Sequence, residues 1–202
     1  MMSFLKKKIR YNGNGSITML YTTGCLMREI EIKILDISRR EVEDKLAGMG
    51  AKKIFDGKIY AIYYDFVDNS LGNERATFRL RKEGERSVLT FKTHVENGEA
   101  KVRDEIEVAV GNFLKMRSIL EALGFRPWLE MKKHRVTYEL QGIHFEFDKY
   151  HDRYEYIPEF LEIEGRDIET VYEYAETLGF RKEDCKPWDA LELARHYAQG
   201  SS

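Results

Sequence analysis

Charge and apolarity alternate residue by residue in Glu29-Ile30-Glu31-Ile32-Lys33-Ile34, and no other stretch restricts the fold of this chain as tightly. A period of two is the side-chain period of a β-strand. Glu29, Glu31 and Lys33 therefore share one face, and Ile30, Ile32 and Ile34 the other. One such strand would pass for an ordinary boundary between core and water, because antiparallel sheets commonly keep a solvated face. The pattern recurs, however, in Glu105-Ile106-Glu107-Val108 and in Leu161-Glu162-Ile163-Glu164. Arg79 and Arg81 alternate with Phe78 and Leu80, and Lys92 with Leu89 and Phe91. Lys133 and Arg135 share a face, as do Glu146 and Asp148 between Phe145 and Phe147. The chain thus makes a sheet with one apolar face and one densely charged face of both signs.

Helices punctuate these strands. Ser38-Arg39-Arg40-Glu41 has the form of a capping box, with Val42, Leu46 and Met49 at helical spacing behind it. Phe113, Met116, Ile119, Leu120 and Leu123 stripe a second helix over 112–123, closed by Gly124. A third is expected over 168–178 and a last one over 189–197. Between them the pattern gives strands at 59–67, 76–82, 87–94, 101–110, 129–140, 143–149 and 160–165, and Asn97-Gly98 marks a hairpin. Three times a strand with carboxylates on one face precedes a helix, a weak repeat resembling duplicated βαββ halves with a βα tail. Residues 1–26 read as an extension outside the main fold, 27–198 as a single domain, and 199–202 as a frayed end.

Helices can cover the apolar faces only from one side, so the charged faces must point away from them. Two architectures satisfy this: an open sheet with its charges in solvent, or a barrel of about eight strands with the charges turned inward around a polar tunnel. In a tunnel, Lys33, Arg79, Arg81, Lys92, Lys133 and Arg135 would repel one another. Like charges about 4 Å apart cost on the order of 4 kcal/mol per pair at an effective dielectric near 20. If bases and carboxylates occupy separate patches, the lumen suits a polyanion against the one and divalent cations against the other. Polyphosphate with Mg²⁺ or Mn²⁺ is that ligand class, since both ions prefer carboxylate and phosphate oxygens.

Composition narrows the partners. A net charge of −2 gives no global attraction to nucleic acid or to an anionic membrane, and carboxylates on the basic faces would repel a phosphate backbone. No apolar run approaches a membrane span. Cys25 and Cys185 have no metal-ligand spacing, and the expected compartment is the cytoplasm. A homodimer is left open. The five histidines share no ligand spacing, and Trp128 and Trp188 read as packing residues. The loop over 154–158 is a candidate cover for one tunnel mouth.

Taken in order, Glu29-x-Glu31-x-Lys33, Arg79-x-Arg81, Lys92, Lys133-x-Arg135, Asp148 and Glu162-x-Glu164 resemble the CYTH family over about 27–180. These are the triphosphate tunnel metalloenzymes, among them class IV adenylate cyclases, thiamine triphosphatases and inorganic triphosphatases. The resemblance implies an α+β fold: an eight-stranded antiparallel β-barrel, the triphosphate tunnel, with helices packed outside. It implies that Lys33, Arg79, Arg81, Lys92, Lys133 and Arg135 bind a small-molecule triphosphate, Lys33 and Arg135 being the pair assigned to catalysis. It also implies Glu29, Glu31, Asp148, Glu162 and Glu164 as ligands for Mg²⁺ or Mn²⁺, while Glu105, Glu107 and Glu146 orient the bases. The expected reaction is that of class IV adenylate cyclase, ATP to cyclic AMP and pyrophosphate. The alternatives are a triphosphatase acting on thiamine triphosphate, inorganic triphosphate or a nucleoside triphosphate, and a nucleotide- or polyphosphate-binding module without turnover. One departure bears on the choice. Cyclase-like members often carry Gln-x-Asp-x-Tyr before the first arginine pair, whereas this chain reads Ile59-Tyr60-Ala61-Ile62-Tyr63.

Overall fold

A computed structural model describes residues 10–11, 17–18, 27–95 and 101–199. The alternating segments become the strands β1 (Met27–Ile34), β2 (Lys52–Asp65), β3 (Thr77–Glu83), β4 (Arg86–Val95), β5 (Lys101–Val110), β6 (Arg126–Leu140), β7 (Ile143–Tyr150) and β8 (Phe160–Gly165). A two-residue strand, β9 (Cys185–Lys186), adds to the edge of β1. Outside this sheet, Arg10–Tyr11 pairs with Ile17–Thr18 in a separate short ladder.

Neighbours run β8-β7-β6-β2-β3-β4-β5-β1, and β8 pairs again with β1. Every pairing is antiparallel, so the eight strands close into a barrel and the open-sheet alternative falls. Closure leaves little free edge among the eight, and β9 takes up the end of β1 that β5 does not reach. It also forces each strand's parity to mean inside or outside.

Much of the outside is apolar and covered, as the parity predicts, although Ile106 and Val108 of β5 stay exposed. Ile30, Ile32, Ile34, Phe145, Phe147, Leu161 and Ile163 pack beneath α1 (Arg39–Gly48) and α4 (Ile168–Thr177), against Val42, Leu46, Val171 and Ala175. Ile62, Tyr64 and Leu80 pack beneath α3 (Phe113–Ala122) through Leu120. Burying each of these large side chains contributes roughly 1.5–3 kcal/mol, so the helices hold the barrel closed from outside. A third cluster stands at one end, where Leu129, Met131, Tyr150, Tyr154, Ile157 and Phe160 meet Leu193 and Ala194 of α5 (Ala190–Gln199).

Details differ from the sequence reading. Ser38 stands at the N-cap of α1, but its side chain makes no capping bond, so the capping box is not built. The side chains of Asn112 and Asp167 do cap α3 and α4, accepting from the backbone N–H of Lys115 and Thr170. Residues 154–158 line neither of the two cavities described below. Tyr154 and Ile157 are buried under α5, and Tyr156 donates to the Ala194 carbonyl, so the loop anchors that helix. The Asn97-Gly98 hairpin lies outside the described residues, although the β4–β5 ladder flanking it is antiparallel. Cys185 is free and buried, and Cys25 lies outside the described residues. Among the described residues, no helix is long and apolar enough to cross a membrane.

Candidate active site

Every basic residue singled out in the sequence lines one inner chamber of about 130 Å³: Lys33, Arg79, Arg81, Lys92, Lys133 and Arg135. Three carboxylates of the expected metal set, Glu31, Glu162 and Glu164, line it too. The chamber opens beside Trp128 and the first residues of α5. On the other side the tunnel widens into a cavity of about 950 Å³ lined by Glu29, Glu83, Glu105, Glu107, Glu146, Glu164 and Asp167, with Arg81, Lys92 and Arg135 reaching both. Arg28, Arg86 and Arg166 line the larger cavity as well, so both spaces carry both signs of charge.

The two signs of charge are interleaved rather than separated, so carboxylates offset part of the expected repulsion among the bases. Lys33 Nζ bridges Glu162 at 2.6 Å and Glu31 at 3.2 Å. Lys92 Nζ sits between Glu29 and Glu105, 2.8 Å from the latter. Lys133 donates to Asp148 at 2.6 Å, and Arg135 grips Asp148 with Nε at 2.7 Å while contacting Glu146. Arg81 lies 2.7 Å from Glu83 and 3.5 Å from Glu107. Glu105, Glu107 and Glu146 therefore face bases, the arrangement suited to orienting them. Antiparallel register produces these pairs, since Arg135 stands opposite Asp148, Lys92 opposite Glu105 and Glu162 opposite Lys33.

Two arginines escape this pairing. Arg79 has Nε and Nη2 buried without a hydrogen-bond partner among the described residues, and its guanidinium lies 5.9 Å from the Tyr63 ring centre. Arg103 donates from Nη1 to Thr77 Oγ1 at 2.9 Å and keeps a buried, unpartnered Nε. Arg103 was not singled out in the sequence. Its parity with Glu105 and Glu107 on β5 was the available signal.

Burial and charge shift the titrating groups in opposite directions. Burial would raise Asp148, but Arg135 and Lys133 beside it hold it down to about 2. Glu162 is likewise held below the usual carboxylate range against burial, chiefly by Lys33. Burial pushes Glu146 up to about 8 despite Arg135, and burial together with Glu105 pushes Glu29 up to about 7 against the pull of Lys92. Burial, then Arg135, lowers Lys133, while burial and Arg79 lower Arg81.

The carboxylates expected to hold metal divide into two groups. Glu31, Glu162 and Glu164 each bring an oxygen within 4.8 Å of the others, whereas Glu29 and Asp148 stand outside this cluster, paired with Lys92 and with Lys133 and Arg135. An all-carboxylate donor set with no nitrogen or sulfur fits hard cations such as Mg²⁺ or Mn²⁺. Trp188 packs against the end cluster as expected. Trp128 does not, being half exposed and lining the chamber.

Comparison with known proteins agrees with this geometry. A Methanocaldococcus jannaschii protein provisionally named an adenylate cyclase is 30% identical over 122 residues, 60% of this chain and 70% of that protein. A conserved hypothetical protein of Pyrococcus furiosus superposes with a TM-score of 0.68 at 25% identity, over 82% of this chain and 99% of the other. A Hippeastrum protein, named as an adenylyl cyclase but described as having a dominant triphosphatase activity, gives 0.58 at 17% identity, over 84% and 95% of the two chains. The family model for the CYTH domain matches residues 27–187, which span all eight barrel strands and both walls of the charged chamber, and the chain belongs to that family.

Proposed function

We propose that this protein is a divalent-metal-dependent enzyme that takes a triphosphate into the tunnel and breaks one of its phosphorus–oxygen bonds. The observation that carries the reading is the pair of unsatisfied arginines, Arg79 and Arg103, in a chamber shared with the Glu31–Glu162–Glu164 cluster. A buried guanidinium N–H without a partner forfeits roughly 1–3 kcal/mol, which a phosphate oxygen would restore. In this reading Arg79, Arg81, Arg103 and Lys92 grip phosphate from one side, with Lys133 and Arg135 on the other. Planar arginine forks suit the two oxygens of a phosphoryl group. Glu31, Glu162 and Glu164 would hold Mg²⁺ or Mn²⁺, which when bound neutralises developing phosphate charge as a Lewis acid. Lys33, bridging Glu31 and Glu162, positions those carboxylates and limits their mutual repulsion.

The finer proposal is cyclisation of ATP, in which the ribose 3′-hydroxyl attacks the α-phosphorus and pyrophosphate leaves. Hydrolysis is the second reading, and one observation favours it: Ala61 stands opposite Arg81 in the ladder, where cyclase-like members carry an acid. The Hippeastrum neighbour described as mainly a triphosphatase is a precedent within the same fold.

The test is an assay with ATP, thiamine triphosphate and inorganic triphosphate, in Mg²⁺, in Mn²⁺ and in excess chelator, following phosphate, pyrophosphate and cyclic AMP together. Cyclic AMP with stoichiometric pyrophosphate supports the first reading, and inorganic phosphate the second. Binding of all three substrates without product points to a non-catalytic module. Undiminished turnover in chelator would remove the metal from the account.

A further inference from the structure

Trp128 owes its place in the chamber to a defect in the sheet. Tyr63 of β2 pairs with Leu129 of β6, but the next residue, Tyr64, pairs with Pro127. Trp128 is thus the extra residue of a β-bulge, opposed by nothing on β2. Bulges gather next to active sites because they re-aim one side chain against the alternation of its strand. Without the bulge, Trp128 would point outward between the inward-facing Leu129 and the helix-covered side. Instead its ring lies 6.0 Å from that of Tyr63, at 57°, and lines the chamber that holds the basic set. It is nonetheless 51% exposed. A large aromatic side chain left half in water beside buried arginines is a surface waiting for a flat partner.

From this geometry we infer that Trp128, with Tyr63 beside it, is the subsite for the organic group of the substrate, and that this group carries a planar heteroaromatic ring. The inference rests on the triphosphate reading above and narrows it to exclude inorganic triphosphate as the preferred ligand. The spacing is suitable. Lys133 lies five residues along β6 from Trp128, or ~16 Å of strand, which a barrel tilt of 35–45° shortens to ~12 Å along the tunnel axis. That is the scale on which a ring at one end of an extended nucleoside triphosphate is separated from its terminal phosphate. Arg79, whose guanidinium lies 5.9 Å from the Tyr63 ring centre, then meets the phosphate nearest the ring, and Lys133 and Arg135 the far end.

The experiment is calorimetric binding of ATP, thiamine triphosphate and inorganic triphosphate to wild type and to Trp128→Ala and Trp128→Phe, with Ca²⁺ in place of Mg²⁺ to suppress turnover. Ring-to-aromatic stacking predicts that Trp128→Ala weakens whichever organic triphosphate binds best by roughly ten- to a hundredfold. Trp128→Phe should recover part of that loss, and the affinity for inorganic triphosphate should stay within about twofold. Which of ATP and thiamine triphosphate shows the larger loss identifies the ring. Equal losses for all three ligands would make Trp128 structural, and no loss for either organic ligand would put the ring elsewhere; both overturn the inference while leaving the triphosphate site intact. If wild type binds inorganic triphosphate alone, the inference again fails and the wider reading stands. If it binds none of the three, both fail.

Discussion

Arg135 and Arg79 look across one chamber and differ in almost everything that decides what a buried arginine is for. Arg135 faces Asp148, Glu146 and Glu162, all of them buried. Arg79 has no carboxylate ion pair among the described residues, leaves two N–H donors unsatisfied, and rests near an aromatic ring. The wall of β6, β7, β8 and β1 is therefore close to electrically complete. The wall of β3 and β5 holds arginines in reserve. The first contrast is one of stability and the second one of binding, so substitutions on the two walls should separate them.

The largest effect should come from Arg135→Ala. Removing one partner of a buried ion network costs roughly 3–5 kcal/mol, and here it leaves Asp148, at 0% exposure, with Lys133 as its remaining base and takes from Glu146 the arginine it contacts. Chemical denaturation should show the midpoint falling accordingly, and a loss below about 1 kcal/mol would mean that Arg135 belongs with the reserve arginines.

Arg79→Ala should do the reverse. It deletes unsatisfied donors, so stability should hold or rise slightly, while triphosphate affinity falls by about 3 kcal/mol, or roughly a hundredfold. Calorimetry and a melting curve on the same sample decide this. A variant that unfolds but still binds would invert the comparison.

A smaller effect is expected from pH. Glu146 and Glu29 titrate higher in the fold, near 8 and 7, than in the unfolded chain. The folded state therefore holds their protons more tightly. The stability they contribute is complete below about pH 4.5, the ordinary carboxylate value, and is lost as pH rises through 7 to 8. Asp148 works in the opposite sense, its contribution being lost as pH falls toward 2. The melting temperature of the metal-free protein should thus decline from pH 5 to pH 9, and Glu146→Gln, neutral throughout, should flatten that decline. An unchanged slope in the variant would remove Glu146 as its source.

Much of this was legible before any coordinates. Parity alone placed Glu31, Lys33, Arg79, Lys92 and Arg135 on one face, and closure of the barrel converted that face into an interior. Which base meets which carboxylate was not legible, because it depends on cross-strand register, set by how β6, β7 and β8 align rather than by any one segment. Hence the carboxylates that offset the expected self-repulsion could not be matched to their bases from the sequence, Asp148 with Lys133 and Arg135 among them. Arg103 carried a readable signal in its alternation with Glu105. Trp128 carried none, since a bulge breaks the very periodicity used to read the strand. At Ser38, the local pattern for a capping box was present, but the side chain makes no cap.

The account stands or falls on whether the chamber recognises a chain of phosphates, and ligand-induced stabilisation measures that directly. Melting temperatures would be recorded with inorganic triphosphate, pyrophosphate and phosphate at equal concentration, with and without Mg²⁺. A ligand bound only by the native state adds about 2.7 kcal/mol at a hundredfold excess over its Kd. The triphosphate can bridge Arg79 and Arg103 to Lys133 and Arg135, and a single phosphate cannot. The shift should therefore decrease from triphosphate to pyrophosphate to phosphate and be larger with Mg²⁺. A flat response across the three, with the metal present and absent, would contradict the triphosphate tunnel outright.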